Sequence, residues 1–376
     1  MKKICYVVTI PLTIRAFFIP QLKYLAENGF DVTVICGSDD VLQSELGEKI
    51  HFLPVEIPRG ISFVGSIKAI CSLKEIFLKE KFDLVQYSTP NAALYASIAA
   101  KSIRIPVRIY HLMGLRYLGA GRISRPVLKA FDKYACSNST SIECVSKSNL
   151  ELGIQESLYD ENKATVIWNG STGGVDLERF DFSKRDEWRK DIRNRLGISE
   201  DDFVIGFVGR ITKDKGVNEL LEAFFNLEKR AKLLIIGNDE GVATLNQILW
   251  KKANNDENII ILDFISDIEK YYPSMDVLVL PSYREGFGNV VIEAQAMGTP
   301  AIVSNIPGPV DAIEIDKTGL IVNKGDAEDL KNKLEALINK SGLSDAEYCS
   351  QYIKEHFDSQ ELCKRIAKRK NELLNG

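Results

Sequence analysis

Glu285 and Glu293, with seven residues between them, follow an apolar run that ends at Pro281. The stretch Glu285-Gly286-Phe287-Gly288-Asn289-Val290 has the composition of a turn that opens into a helix near Asn289. Two glycines let backbone N–H groups come close to a ligand. A helix start adds unpaired N–H donors and the positive end of its dipole, which suits phosphate or sugar oxygens. Carboxylates accept from vicinal hydroxyls. Glu285 in the turn and Glu293 one turn into the helix could therefore hold two polyol units of one extended ligand. Either glutamate alone reads as an ordinary solvated carboxylate.

A second stretch, Gly206-Phe-Val-Gly209-Arg210-Ile-Thr-Lys213-Asp-Lys215-Gly216, joins an apolar run to a helical pattern. An arginine fork at Arg210 and a lysine point charge at Lys215 make a diphosphate clamp, although taken alone the stretch equals a charged surface turn. The chain holds no Walker-type phosphate loop, and no G-x-G-x-x-G follows its first apolar run. Both absences count against nucleotide hydrolysis and dinucleotide redox chemistry.

The elements that must carry these loops alternate between continuous apolar runs and helical patterns, as parallel sheets covered on both faces require. Strands are expected at Ile4–Ile10, Asp31–Cys36, Leu84–Tyr87, Val107–His111 and Ser141–Val145, with helices at Ala16–Asn28, Phe63–Lys79, Ala92–Lys101 and Arg125–Cys136. A second series has strands at Phe203–Val208, Lys232–Ile236, Ile259–Leu262, Val277–Leu280 and Ala301–Ser304. Its helices are expected at Lys215–Lys229, Val242–Asn254, Asp267–Tyr272, Asn289–Met297 and Ala327–Asn339, and the charged tail 345–374 is helical in pattern. Residues 166–202, with Gly170, Gly173 and Gly174, read as the linker. The expected architecture is α/β: two doubly wound Rossmann-like domains facing across a cleft, residues 1–170 and 171–355, with a C-terminal helix over 356–376 returning to the first. Ligands of such sheets bind beyond the carboxyl ends of the strands. The length of 376 residues also calls for two cores.

Composition is that of a soluble globular protein, 45% hydrophobic and 27% charged, which excludes a disordered chain. A net charge of −4 counts against nucleic acid as a partner. Charge is uneven, however. Between 101 and 150 lie nine basic residues (Lys101, Arg104, Arg108, Arg116, Arg122, Arg125, Lys129, Lys133, Lys147) and two acidic ones (Asp132, Glu143). Such a concentration suits an anionic partner or a merely solvated surface. Seven cysteines without C-x-x-C read as reduced thiols, with Cys5, Cys36 and Cys71 in apolar surroundings. Lys2-Lys3 ahead of an apolar run imitates a secretory leader, but Arg15 interrupts the run and no small-residue cleavage site follows, so a buried first strand is expected.

The pair Glu285/Glu293, preceded by Gly-Arg-x-x-x-x-Lys-Gly at 209–216 and by Asn169-Gly-Ser-x-Gly-Gly-Val-Asp176, resembles the retaining family 4 glycosyltransferases of the GT-B fold. Among these it is similar to bacterial enzymes that build capsular, O-antigen and other envelope glycans. The likeness is strongest over 203–311. It implies that Glu285 meets the donor sugar and Glu293 the ribose, that Arg210 and Lys215 neutralise the diphosphate, and that Gly286–Asn289, with Val290, offers backbone donors. Gly209, Gly237 and Ile265 would line the nucleotide. His111, at a strand end, would touch the donor sugar as histidines there do in the family, although a lone histidine is also a common structural residue. Many members have a Gly-Gly pair in the first loop, where this chain has Thr9-Ile-Pro-Leu-Thr13-Ile-Arg15; Thr13 and Arg15 are weak candidates for acceptor phosphate.

The function implied is transfer of a hexose or N-acetylhexosamine from a nucleotide sugar, by family habit UDP-linked, to a glycan or polyprenyl-diphosphate-linked sugar. The alternatives are a nucleotide-sugar epimerase of the same shape or a non-catalytic sugar-nucleotide-binding protein. No cofactor beyond the substrate is expected, and the absence of Asp-x-Asp favours chemistry without a metal. A cytoplasmic protein is expected, peripheral at the inner membrane face through the basic 101–133 region.

Overall fold

Runs of Val, Ile and Leu can be buried on both sides only in a sheet sandwiched by helices. The computed structural model describes residues 1–60, 62–339 and 343–376. It divides into two compact units, Met1–Gly173 with Ser359–Gly376, and Gly174–Asp358.

The first unit is a parallel sheet of seven strands: β1 (Lys2–Val7), β2 (Phe30–Cys36), β3 (Ile50–Pro54), β4 (Leu84–Tyr87), β5 (Val107–Leu112), β6 (Ser141–Cys144) and β7 (Ala164–Val166). Their spatial order is β3-β2-β1-β4-β5-β6-β7. Alternate residues serve two cores. Val7, Val85, Tyr87 and Leu112 pack with the alanine-rich helix Pro90–Ser102. Ile4, Tyr6 and Ile109 pack with Phe18, Leu22 and Leu25. The C-terminal helix Ser359–Asn375 belongs to this unit, and its Lys370 is wholly buried, donating to Gln86 Oε1 at 2.6 Å.

The second unit is a parallel sheet of six strands: β8 (Val204–Val208), β9 (Lys232–Ile236), β10 (Ile259–Leu262), β11 (Val277–Leu280), β12 (Ala301–Ser304) and β13 (Gly319–Val322), ordered β10-β9-β8-β11-β12-β13. Both sheets therefore run outward from their first strand and then reverse to its other side. In the second unit the reversal falls between β8 and β11, the kind of point outside whose strand ends open parallel sheets bind ligands.

Several sequence expectations change. The helix expected over Ala16–Asn28 is two, Pro11–Phe17 and Ile19–Glu27, because Pro20 has no N–H to give to Ala16 and starts a new helix instead. Residues 166–202 are not a plain linker: they contain the end of β7 and the helix Arg185–Leu196. The stretch 242–254 resolves into a 3-10 turn, Val242–Thr244, and a helix, Gln247–Ala253, started by the Asn246 side chain accepting from Ile248 N and Leu249 N. Around Pro273 there are two 3-10 turns, Ile268–Lys270 and Tyr272–Ser274, in place of a helix. Cys71 is exposed, whereas Cys5 and Cys36 are buried.

Candidate active site

The loops singled out in the second unit leave the two strands that flank its reversal. After β8 the chain passes Gly209 and Arg210, makes a 3-10 turn at Lys213–Lys215 and enters the helix Val217–Phe225 through Gly216. After β11 it passes Pro281–Gly288 and enters the helix Asn289–Ala296. The loops touch at their tips. Tyr283 N donates to Asp214 O at 2.9 Å, and a Cβ on Gly216 would lie 2.1 Å from Pro281 O. With φ at +74°, only glycine serves there.

Lys215 and Glu285 meet across this contact. Lys215 Nζ donates to Glu285 Oε1 at 2.5 Å, and the Ser282 hydroxyl donates to the same oxygen at 2.8 Å. One carboxylate oxygen thus carries both bonds. Asp214 lies behind the clamp. Its burial opposes ionisation, yet the Thr212 hydroxyl at 2.6 Å and the cations Arg210, Arg284 and Lys215 hold it below the usual carboxylate range. Arg210 is half-exposed and pairs loosely, 3.7 Å from Asp214 and 3.8 Å from Glu240, so its fork can swing onto an incoming anion.

Glu293 is partly buried on the helix Asn289–Ala296, and Tyr272 donates its hydroxyl to Glu293 Oε2 at 2.8 Å. Burial pushes the Glu293 carboxyl up, while Tyr272 and the positive charge of Arg179 oppose that shift. Arg179 itself bridges Glu269 at 2.8 Å and the Ser266 carbonyl at 2.5 Å, tying down the loop after β10 that carries half-buried Ile265. Gly288 caps the helix with φ at +96°, a conformation that favours glycine. The Phe287 side chain is buried against Phe357 with ring centroids 5.5 Å apart, so only its backbone faces the turn. Gly209 N and Gly237 N extend the sheet, donating to Ile236 O and Leu262 O at 3.0 Å each. Val290 is half-buried at the helix start.

The first-unit candidates are placed differently. Arg15 is held by acids of its own unit, forked onto Asp39 at 2.7 and 2.9 Å and bonded to Glu45 at 2.5 Å. That fork holds the Asp39 carboxyl down at about 2. Thr13 lies inside the helix Pro11–Phe17, not in an open loop. Neither arrangement presents a ready phosphate site.

Two family models match the chain, glycosyl transferases group 1 over residues 189–356 and glycosyl transferase 4-like over 3–146. The capsular polysaccharide biosynthesis glycosyltransferase CapM of Staphylococcus aureus is 34% identical over 91% of this chain and 89% of its own length. The chain belongs to the group 1, family 4-like glycosyltransferases. A second relative of this glycosyltransferase, at 28% identity over 88% of the chain and 87% of its own, is UDP-Gal:alpha-D-GlcNAc-diphosphoundecaprenol alpha-1,3-galactosyltransferase of Escherichia coli. In fold it matches the crystal structure of Anabaena HepE in complex with UDP, with a TM-score of 0.78 over 99% of this chain and 100% of that one at 16% identity. Its two Rossmann-like units are those of the GT-B fold.

His111 of the glycosyltransferase ends up near the tip of β5 with its ring buried, edge-on to Phe18 at 5.7 Å and 3.3 Å from the Thr172 hydroxyl. It lines a small cavity with Gln21, Gln86, Glu143 and Thr172. Burial, and then the charge of Lys370, push its pKa down to about 3, so it is neutral at physiological pH. A histidine whose folded pKa is depressed costs nothing above its unfolded pKa of about 6.5 and destabilises the fold as pH falls below that value. Asp132, raised by burial to about 6, acts in the opposite sense over part of this range. The difference between the wild type and His111→Gln isolates the histidine. The wild type should lose about 2 kcal/mol relative to the variant between pH 7 and pH 5, measured by urea unfolding. Parallel pH profiles would show that His111 is not buried neutral.

Tyr272, Ser282 and Asp214 were not singled out from sequence. Tyr272 reaches Glu293 across 21 positions with no motif between them. Ser282 and Asp214, by contrast, adjoin motif residues and were findable as hydroxyl and carboxylate neighbours of Glu285 and Lys215.

Proposed function

We propose that this glycosyltransferase moves a hexosyl or N-acetylhexosaminyl unit from a UDP-sugar to a polyprenyl-diphosphate-linked or glycan acceptor during surface polysaccharide assembly, with retention and without a metal. The observation that carries the reading is the convergence of Lys215 and Ser282 on one oxygen of Glu285, between the two strands that flank the reversal of the sheet. In this reading Glu285 accepts from donor-sugar hydroxyls and Glu293, aimed by Tyr272, accepts from the ribose. Bond cleavage places charge on the leaving diphosphate, which Lys215, Arg210 and the start of the helix Asn289–Ala296 stabilise more than they stabilise the ground state. The acceptor oxygen bonds to the anomeric carbon from the face that the diphosphate leaves, as the sugar–phosphate bond breaks and the acceptor's proton passes to the departing diphosphate oxygen.

The relatives' names support the donor and the acceptor class. The Escherichia coli relative is named for UDP-Gal and a diphosphoundecaprenol acceptor. A Campylobacter jejuni relative, 27% identical over 88% of each chain, is named N,N'-diacetylbacillosaminyl-diphospho-undecaprenol alpha-1,3-N-acetylgalactosaminyltransferase. Both names specify an α linkage, the outcome of retention from an α-linked sugar nucleotide.

A thermal-shift panel of UDP-, GDP- and ADP-sugars tests the donor. A ligand at a hundred times its Kd adds about 2.7 kcal/mol to the folded state, and one UDP-sugar should do so. No shift with any nucleotide sugar at millimolar concentration overturns the reading. Release of UDP that depends on an added lipid-diphosphate sugar marks a transferase, whereas conversion of the donor without an acceptor marks an epimerase.

A further inference from the structure

Arg284 sits between two fixed neighbours. Tyr283 is tied twice, its N–H donating to Asp214 O at 2.9 Å and its hydroxyl to Glu219 Oε1 at 2.7 Å. Glu285 is held by Lys215 and Ser282. The backbone at 284 is therefore pinned on both sides. The Arg284 side chain, by contrast, is 40% exposed and makes, among the described residues, a single long contact, to Asp214 Oδ2 at 3.4 Å.

The same oxygen faces Arg210, 3.7 Å away. The other oxygen of Asp214 is taken by the Thr212 hydroxyl at 2.6 Å. Two guanidinium groups, one from the loop after β8 and one from the loop after β11, thus lean on one carboxylate oxygen. Both distances exceed the 2.7–2.9 Å or so of a charge-assisted hydrogen bond. Lys215 is matched by Glu285, and the two arginines have Asp214 between them. Arg210 also reaches Glu240, but at 3.8 Å and in the open, where such a pair is worth little. The junction of the loops therefore carries more positive than negative charge, on two side chains that no strong bond holds.

We propose that Arg284 is a second arginine of the leaving-group clamp: it and Arg210 close from the two loops on the phosphate that gains charge as the sugar–phosphate bond breaks. The inference rests on the donor reading above and adds to it a residue and a reason for the shared acid. Asp214 keeps both arginines beside the strand ends without spending their hydrogen bonds. Each planar fork can then give two parallel N–H bonds to a phosphate. The balance of the step is unchanged. The acceptor oxygen bonds to the anomeric carbon, the electrons of the broken bond go to the diphosphate oxygen, and the acceptor's proton follows them. A sugar nucleotide carries two negative charges on its diphosphate. The freed nucleoside diphosphate carries a third once its last proton, with a pKa of about 6, is lost. A cation that serves the leaving group must therefore prefer the free nucleotide to its sugar derivative.

Equilibrium binding at pH 8 tests this preference, with the full chain and with UDP, GDP and ADP beside their hexose derivatives. For whichever nucleotide the wild type takes, Arg284→Ala should weaken the nucleoside diphosphate about tenfold or more, the loss of a hydrogen bond to a charged group. The sugar derivative should weaken no more than about threefold, since it lacks the added charge. Turnover should fall about tenfold to a hundredfold with little change in KM for the donor, and Arg284→Lys should regain part of each loss. The side chain is half-exposed, so unchanged circular dichroism and Tm are expected. An equal loss for both ligands, or no loss for either, overturns the proposal. So does a variant that binds nucleotides like the wild type but raises KM for a lipid-diphosphate sugar, which would put Arg284 on the acceptor's diphosphate. A wild type that binds no nucleotide or sugar nucleotide at millimolar concentration overturns the donor reading and this inference together. A wild type that binds them, beside an Arg284→Ala without the split, overturns the inference alone.

Discussion

Replacing Lys215 by alanine should lower kcat by about 10²–10³, the usual loss when one positioned charge donor is taken from a developing anion. The ammonium already lies at the junction of the loops after β8 and β11, 2.5 Å from Glu285 and mostly shielded from water. In the proposed reading, loss of the lysine removes a charge from beside the leaving group, and it leaves Glu285 held by Ser282 alone. Both consequences act on turnover more than on donor capture, so kcat should fall much further than KM rises. Lys215→Arg keeps the charge and should recover part of the rate. Arg210→Ala should cost less, about tenfold to a hundredfold, because Arg210 is half-exposed and its ion pairs are long. Steady-state kinetics of the three variants decide the matter: near-normal rates in Lys215→Ala and Arg210→Ala together would falsify the clamp. Glu285→Gln gives a separate check, since it keeps the shape and the Ser282 contact while releasing Lys215 from its counter-charge.

How much of this was legible from sequence follows from burial. The interior strands β4, β9 and β11 fall on the residues expected of them, because a strand covered on both faces is an unbroken apolar run. The strands with no expected counterpart are β3, β7 and β13, all at sheet edges. They are short and poorly buried: in Ile50–Pro54 only Ile50 is buried, and Ala164–Val166 is half-buried throughout. That the loops carrying Lys215 and Glu285 lie on one sheet was legible, because each follows an apolar run; their direct bond was not. The role of Arg15 was not. An arginine in a first loop looks free until Asp39 and Glu45, 24 and 30 residues away, are seen to hold it. The partners of the 101–133 cations were equally out of sight: Arg108 is taken up by the Asn138 carbonyl, Lys101 by the Asn138 side chain and Lys129 by Glu156.

The largest structural effect belongs to a residue inside the stretch that read as a linker. Arg193 of the helix Arg185–Leu196 is 2% exposed and spends its whole guanidinium inside the second unit. Nε donates to Ser274 O at 3.1 Å, and Nη1 is shared among the carbonyls of Ser199, Glu200 and Asp202. Nη2 meets Asp276 Oδ2 at 2.8 Å. Burial lowers the Arg193 pKa, and the Asp276 charge opposes that shift. Arg193→Ala should destabilise the unit by roughly 3 kcal/mol, since it strips a charged donor from the buried Ser274 carbonyl and from the 199–202 turn, while Arg189 keeps Asp276 paired at 2.7 Å. Tm should fall by on the order of 10 °C in a unit of this size. Arg193→Lys reaches Asp276 with a point charge but cannot fork onto the carbonyls, so it should recover less than half of the loss. Arg193→Met keeps the packing of the stem alone and should lie close to alanine. Urea unfolding followed by the fluorescence of Trp188, on the same helix, reads the series; a loss below about 1 kcal/mol for alanine would contradict the account. Asp276 also accepts from Val204 N at 2.7 Å and directly precedes β11, whose far end carries the Glu285 loop. The arginine therefore fastens the strand from which the Glu285 loop hangs. Donor binding by Arg193→Ala should stay near wild type at temperatures where the unit remains folded and vanish with its melting, which separates a fastening role from a role at the site.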